Sequence, residues 1–259
     1  MKSAKLFACV LALSASQVAV SAAADLDTII PAPQEDAYVP VEVGSGWYLR
    51  GDISYDFKTD SDGSYRSYDG VNYSDNHYDR FNLGSATDLS VGMGYQFNSF
   101  LRGDVTGTMW SRKINGNDTH PAVCDVTNPI GTTCRSEDST KVSAYEVMAN
   151  AYADLGTFVG VTPYLGAGVG MTRLSYDNLT NTSYYVDAAG HDAGVFNTAV
   201  HPGENSWRFT WALMAGASYD ISKNLKFDLG YRYSRVQGGD MFGFDAASVR
   251  NGASGLQGR

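Results

Sequence analysis

The sequence predicts an all-β protein: an antiparallel up-and-down transmembrane β-barrel of the eight-strand type, with seven strands present in a chain of 259 residues. Three observations carry this prediction. Apolar and polar residues alternate with a period of two in seven segments, so each strand has one apolar and one polar face. Short and long connections alternate strictly, as in a meander across a bilayer and unlike a Greek-key sandwich. The polar faces mix charges with glycine, while aromatics gather near the ends of the apolar faces, as expected of an ion-paired lumen and of girdles at the headgroups.

Composition narrows the class further. The chain has 28 Asp+Glu against 19 Lys+Arg, 28 Gly, 17 Tyr and only 18% charged residues. That disfavours an Ala-, Leu-, Glu- and Lys-rich helical enzyme, and also a disordered chain, which would lack aromatics. A net charge of −9 leaves no electrostatic footprint for nucleic acid. After the N-terminus no uncharged apolar run reaches about 18 residues, so no spanning helix is expected.

The elements follow in order. Met1 to Lys5 is short and basic, Leu6 to Val20 is apolar, and Ser21-Ala22-Ala23-Ala24 precedes Asp25. This is the three-part pattern of a secretory leader over 1–24. Leu6-Phe7-Ala8-Cys9 resembles a lipid-attachment box but precedes the apolar run, so Cys9 reads as an ordinary leader residue. Residues 25–45, with Pro31, Pro33 and Pro40, read as an extended periplasmic linker. The barrel and its outer loops occupy 46–259.

Trp47 to Phe57 alternate with Tyr48, Arg50, Asp52, Ser54 and Asp56 to give the first strand. The others centre on Phe81 to Phe97, Leu101 to Met109, Tyr145 to Asp154, Pro163 to Thr172, Arg208 to Tyr219, and Leu225 to Ser234. Asn98-Ser99, Gly156 to Gly160 and Ile221 to Asn224 are tight turns. The spans 58–80, 111–142, 175–206 and 235–259 are long and polar, hence outer loops. The polar faces place Arg50, Asp52, Asp56, Arg102, Asp104, Glu146, Asp154, Arg208, Lys226, Asp228 and Arg232 in one lumen charge network. Cys124 and Cys134, two cysteines of an exported chain within one loop, are expected to form a local disulfide.

The first strand Gly46-Trp47-Tyr48-Leu49-Arg50-Gly51-Asp52, the fifth with Gly166, Gly168 and Gly170, and the seventh with Asp228-Leu229-Gly230-Tyr231-Arg232-Tyr233 resemble the small outer-membrane β-barrels of alpha-proteobacteria. These are the porin-family or opacity-like surface antigens related to the OmpA transmembrane barrel. The resemblance implies the outer membrane of a Gram-negative envelope, contact with its lipid and lipopolysaccharide, and delivery by the barrel-assembly machinery. It also implies an eighth strand ending on an aromatic residue. Seven strands leave two edges facing lipid, at several kcal/mol for each unpaired backbone group. A truncated or frame-shifted copy is therefore expected, or completion by another strand, for which Phe242 to Ala247 is too short.

No metal or nucleophile motif stands out, and Gly166-x-Gly168-x-Gly170 reads as lumen packing rather than a dinucleotide fingerprint. The expectation is a non-enzymatic protein without cofactor. Its role reads as a structural barrel that supports the envelope and presents surface loops. The alternatives are a low-conductance pore for small solutes, and an adhesin or haem receptor. Loop 58–80, with Tyr65, Tyr68, Tyr73 and Tyr78 among small polar residues, is a hydrophilic antigenic loop and the first candidate for a host ligand. Haem ligands would come from His77 with Tyr73 and Tyr78, or from His191 with Tyr184 and Tyr185.

Overall fold

The computed structural model describes residues 8–15, 46–61, 63–119, 133–187 and 189–258. In chain order its strands are β1 Ala8–Ala15, β2 Gly46–Asp56, β3 Thr59–Ser61, β4 Ser64–Tyr68, β5 Tyr73–His77, β6 Arg80–Leu83, β7 Ala86–Gln96 and β8 Leu101–Thr119. There follow β9 Thr133–Asp154, β10 Val161–Tyr176, β11 Leu179–Val186, β12 Asp192–His201, β13 Asn205–Ser222 and β14 Leu225–Val236. A short tail carries β15 Phe242–Gly243, helix α1 Ala246–Arg250 and β16 Leu256–Gly258.

Eight strands, β1, β2, β7, β8, β9, β10, β13 and β14, pair antiparallel with their neighbours, and β14 pairs back on β1 to close a ring. Seven are those expected. The eighth, Ala8–Ala15, comes from the stretch that reads as a leader. It lies between β2 and β14 in continuous register, with Leu11 opposite Ile53 and Leu229 and Ala12 opposite Asp52 and Asp228. Its backbone supplies both edges with the partners that seven strands alone lack. Without residues 8–15, as after cleavage behind Ala24, the same edges would have to pair with a different strand.

The three tight turns close the ring at one end. Asn98 caps the first, its Oδ1 accepting from the amides of Phe100 at 3.0 Å and Leu101 at 2.8 Å. The second needs left-handed backbone at Gly156 (φ 98°) and Gly160 (φ 80°), which glycine adopts without a Cβ clash.

The opposite end differs from the expected loops, because strand structure continues through them. β8 and β9 stay paired from Ser111↔Ser143 to Thr119↔Arg135, well inside the span read as loop 111–142. The hairpin β11–β12 adds to the outer part of β9, and β6 with β3 adds to the outer part of β8. β4 and β5 form a hairpin within loop 58–80 that joins β16 and β15 in a second small sheet.

Burial in the lower half is the reverse of that in a water-soluble domain. Ile53, Val91, Val105, Leu165 and Leu213 face outward, each more than half exposed, while Asp52, Asp104, Glu146 and Asp228 are buried inside. Aliphatic side chains so placed are stable only against hydrocarbon. Inner glycines make room for tyrosines: a Cβ on Gly94 would come within 2.3 Å of the Tyr48 ring, and one on Gly216 within 2.5 Å of Tyr164 Oη. In the outer half the order returns to normal. Phe81, Ile114, Val142, Leu174, Tyr176, Leu179, Met241 and Phe242 form an apolar core inside the sheet extensions.

Candidate functional site

The even-numbered residues of β2 and β8 point inward, which brings Tyr48, Arg50, Asp52 and Asp56 against Arg102, Asp104 and Arg112. Arg50 is the hub of the first cluster. Its guanidinium donates to Asp52 Oδ2 at 3.0 Å, Asp104 Oδ2 at 2.8 Å and Tyr152 Oη at 2.7 Å. Asp104 also accepts from Tyr48 Oη at 3.1 Å and Asn150 Nδ2 at 2.7 Å, so its buried charge is well solvated by donors.

Arg102 forms the second cluster. Its Nε donates to Asp154 Oδ1 at 3.1 Å, and Nη2 stands 3.8 Å from Asp228 Oδ2. The guanidinium lies 4.5 Å from the Tyr152 ring centroid and 4.7 Å from that of Tyr164, a sandwich that suits its flat, weakly hydrated cation. Tyr164 in turn donates to Asp228 Oδ1 at 2.6 Å. Nearer the outer end Arg112 pairs with Asp56, lies 3.7 Å from Asp88 and stacks over Trp110. Arg232 meets Glu146 Oε1 at 2.5 Å; Glu146 also accepts from Thr172, which is linked to Thr210 at 2.6 Å.

Nine of the eleven residues expected in the lumen network therefore meet there. Arg208 does not join them. It is buried, but donates to Ser206 Oγ at 3.0 Å and to the carbonyl of Asp240, under Tyr176, and so fastens the tail. Lys226 sits at the short-turn rim, 3.1 Å from Asp220 with both side chains about 40% exposed. Asp88 and Arg112 take part without having been singled out, as do Tyr48, Asn150, Tyr152 and Tyr164. Arg112 continues the even-numbered phase of Arg102 and Asp104, a signal obscured by placing it in a loop.

In the network as found, the seven carboxylates of Asp52, Asp56, Asp88, Asp104, Glu146, Asp154 and Asp228 face the four guanidiniums of Arg50, Arg102, Arg112 and Arg232. The formal excess is three negative charges, against one for the six acids and five bases named from the sequence. Between the clusters lies a cavity of about 30 Å³ bordered by Arg50, Thr106, Asn150, Tyr152 and Arg232. That is room for one or two waters, not a path for solutes.

The outer mouth is closed separately. Phe242 and Met241 of the tail are buried in the outer core, and Met241 N donates to Gly258 O at 2.9 Å. His201, buried beside Gly243 O at 3.3 Å, is held below its ordinary pKa by burial. Tyr65 and Tyr78, offered by the sequence as recognition residues, turn inward. Tyr65 Oη donates to Asp118, and Tyr78 hydrogen-bonds Asp138. Burial, with Asp118 nearby, pushes the Asp138 carboxyl up to about 6 despite the Asn181 amide at 2.7 Å.

Tyr68 and Tyr73 remain on the β4–β5 hairpin, stacked at 4.7 Å, and Tyr73 Oη accepts from Ser254 N at 3.0 Å. His77 and His191 are exposed, whereas Tyr184 lies under Arg135. His120 and Cys124 fall outside the described residues, and Cys134 is buried. Among the described residues no group of three or more His, Cys, Asp or Glu is placed to hold a metal.

Comparison with known proteins agrees with this architecture. The family model for the outer membrane protein beta-barrel domain matches residues 6–256. Uncharacterized proteins of Brucella suis biovar 1, Brucella melitensis biotype 1 and Brucella abortus are each 40% identical over 236 residues, covering 87% of this chain and 80% of their own length. No solved structure matches. With the inverted burial and the closed ring of strands, these findings make the chain a member of the outer-membrane β-barrel domain family.

Proposed function

We propose that the protein is a closed structural barrel of the outer membrane that presents an ordered sheet on the cell surface, without catalytic role. The observation that carries this reading is the Arg102 sandwich between Tyr152 and Tyr164, tied to Asp154 and Asp228, which fills the lumen cross-section. An eight-strand barrel has an interior only wide enough for side chains, and this one is filled. The tail over the outer mouth adds a second barrier.

Export by the leader 1–24, assembly by the barrel-assembly machinery and a Cys124–Cys134 disulfide belong to the same reading. Where the leader is cut away, the place of β1 between β2 and β14 has to be taken by another strand for the ring to stay closed. The surface open to antibodies or a host ligand is then the β4–β5 hairpin with exposed Asp75 and Val71 and half-buried Arg66, rather than the whole of loop 58–80. Liposome swelling tests the reading. Vesicles carrying the refolded full chain should take up sugars no faster than empty ones, and rapid uptake would favour the pore instead.

A further inference from the structure

One patch of the outward face breaks the apolar rule. On β8 the outward residues run Leu101, Val105, Met109, then Ser111 and Lys113; on β9 they run Ala149, Val147, Tyr145, then Ser143 and Lys141. Lys113 and Lys141 are directly opposite in register, both exposed. Like charges facing each other across a strand pair destabilise it. Arg173 on β10, also exposed, pairs in register with Tyr145 on one side and Trp207 on the other.

Of the other cations on the surface, Arg66, Arg135 and Lys226 have a carboxylate in contact, while Lys58, Arg80, Lys223, Arg235 and Arg250 have none among the described residues. What sets this patch apart is the register pairing of Lys113 with Lys141. Among the described residues no carboxylate stands within 4.0 Å of Lys113, Lys141 or Arg173. Two exposed acids share this face: Asp177, whose amide donates to Lys141 O and which therefore stands beside it, and Glu137 further out on β9, in contact with Arg135. A concentration of cations is not what a chain of net charge −9 produces by default.

Height decides what the cations face. From Leu101 to Met109 the apolar stretch rises about 21 Å at a strand tilt near 40°, close to the roughly 25 Å apolar band of such barrels. Lys113, with Lys141 opposite, then lies about 10 Å above Met109, at headgroup depth. Arg173 is in register with Tyr145 and so with Met109, at the top of the band, from which its long stem can reach up to the headgroups. The hydroxyls of Ser111 and Ser143, 3.4 Å apart, stand between the lysines and the aromatics.

We propose that Lys113, Lys141 and Arg173 form a binding site for the phosphates of an outer-leaflet glycolipid, whose acyl chains lie along Met109, Tyr145 and Met171. The lipid anion removes the repulsion of the lysine pair. This rests on the outer-membrane reading and names the lipid contact within it. The test uses the full chain refolded into phosphatidylcholine vesicles, with and without lipid A, and with lipid A stripped of its phosphates.

The wild-type chain should retain at least tenfold more lipid A after detergent extraction than the K113Q/K141Q/R173Q chain, and Lys223→Gln, at the short-turn end, should match wild type. High salt should weaken retention. Equal retention by wild type and the triple variant, or equal retention of the phosphate-free lipid, would overturn the site. So would competition by millimolar inorganic phosphate to the same extent as by lipid A. A chain that fails to insert into phosphatidylcholine at all would instead defeat the membrane reading itself.

Discussion

The two halves of the barrel obey opposite solvation rules along the same strands. Below Met109 on β8 the outward residues are apolar or glycine and the inward ones, Arg102, Asp104, Thr106 and Thr108, all polar; above it Ser111, Lys113 and Asn115 face out while Ile114 joins Arg112 and Asp118 within. Register and pairing do not change at the boundary. What changes is the outer solvent, from hydrocarbon to water, and the interior changes with it from ion pairs to an apolar core. A strand's pattern of two faces is therefore set by its backbone, but which face is apolar is set by its surroundings.

The largest effect separates the ring itself from both halves. In the refolded full chain, Ala12→Pro removes a ladder donor from the strand that closes the ring and should abolish the heat-modifiable compact form on gels. Unchanged mobility would show that β2 and β14 are joined by something other than Ala8–Ala15. Next, Phe242→Ala opens a cavity in the outer core at about 3–5 kcal/mol. Its cost should fall on the cap: limited proteolysis should cut near 236–258 while the denaturant midpoint of the membrane strands holds. A falling midpoint instead would mean that the halves fold as one unit.

The contrast sharpens with one residue type at two heights. Val105→Arg, on the outward face of β8 in hydrocarbon, should cost about 2–4 kcal/mol in vesicle-based urea titrations. Asn115→Arg, on the same face of the same strand in water, should stay within about 0.5 kcal/mol. Equal costs would erase the boundary.

Smaller effects depend on pH, with opposite signs. His201 has its folded pKa below the unfolded value of 6.5, so the unfolded chain binds the proton first and the cap loses stability as pH falls below about 6.5. Asp138 has its folded value raised from 3.8 to about 6, so the folded state binds the proton first. The sheet extension then gains stability as pH falls from about 6 toward 4. Hydrogen exchange at pH 5 and 7.5 should show the Met241–Gly243 amides less protected at the lower pH and the β9–β11 ladder more protected. His201→Gln should remove the first effect and Asp138→Asn the second.

The sequence disclosed the lower half well because period-two alternation, tight turns and a charged inner face all agree there. Arg50, Asp104, Arg102 and Asp228 could be placed from parity alone. The outer half was less legible because its outward residues are polar and its inward ones mixed. Taking the apolar face as the outward one ends β8 at Met109, ten residues short, and loses Arg112 with it. Arg208 and Lys226 share the inward phase but lie at the two rims, and position along a tilted strand is not written in alternation. The residues of β1 are ambiguous for a different reason: an apolar run with alternating small residues suits a leader core and a lipid-facing wall strand alike.

Fluorescence quenching by brominated lipid puts the central claim to the most direct test, using refolded chains that each keep one of the four tryptophans. Trp47 and Trp207, outward and more than half exposed, should be quenched strongly, while Trp110, turned inward over Arg112, should not. Trp47 and Trp207 left unquenched, in a chain that stays in the supernatant when the vesicles are spun down, would contradict the account.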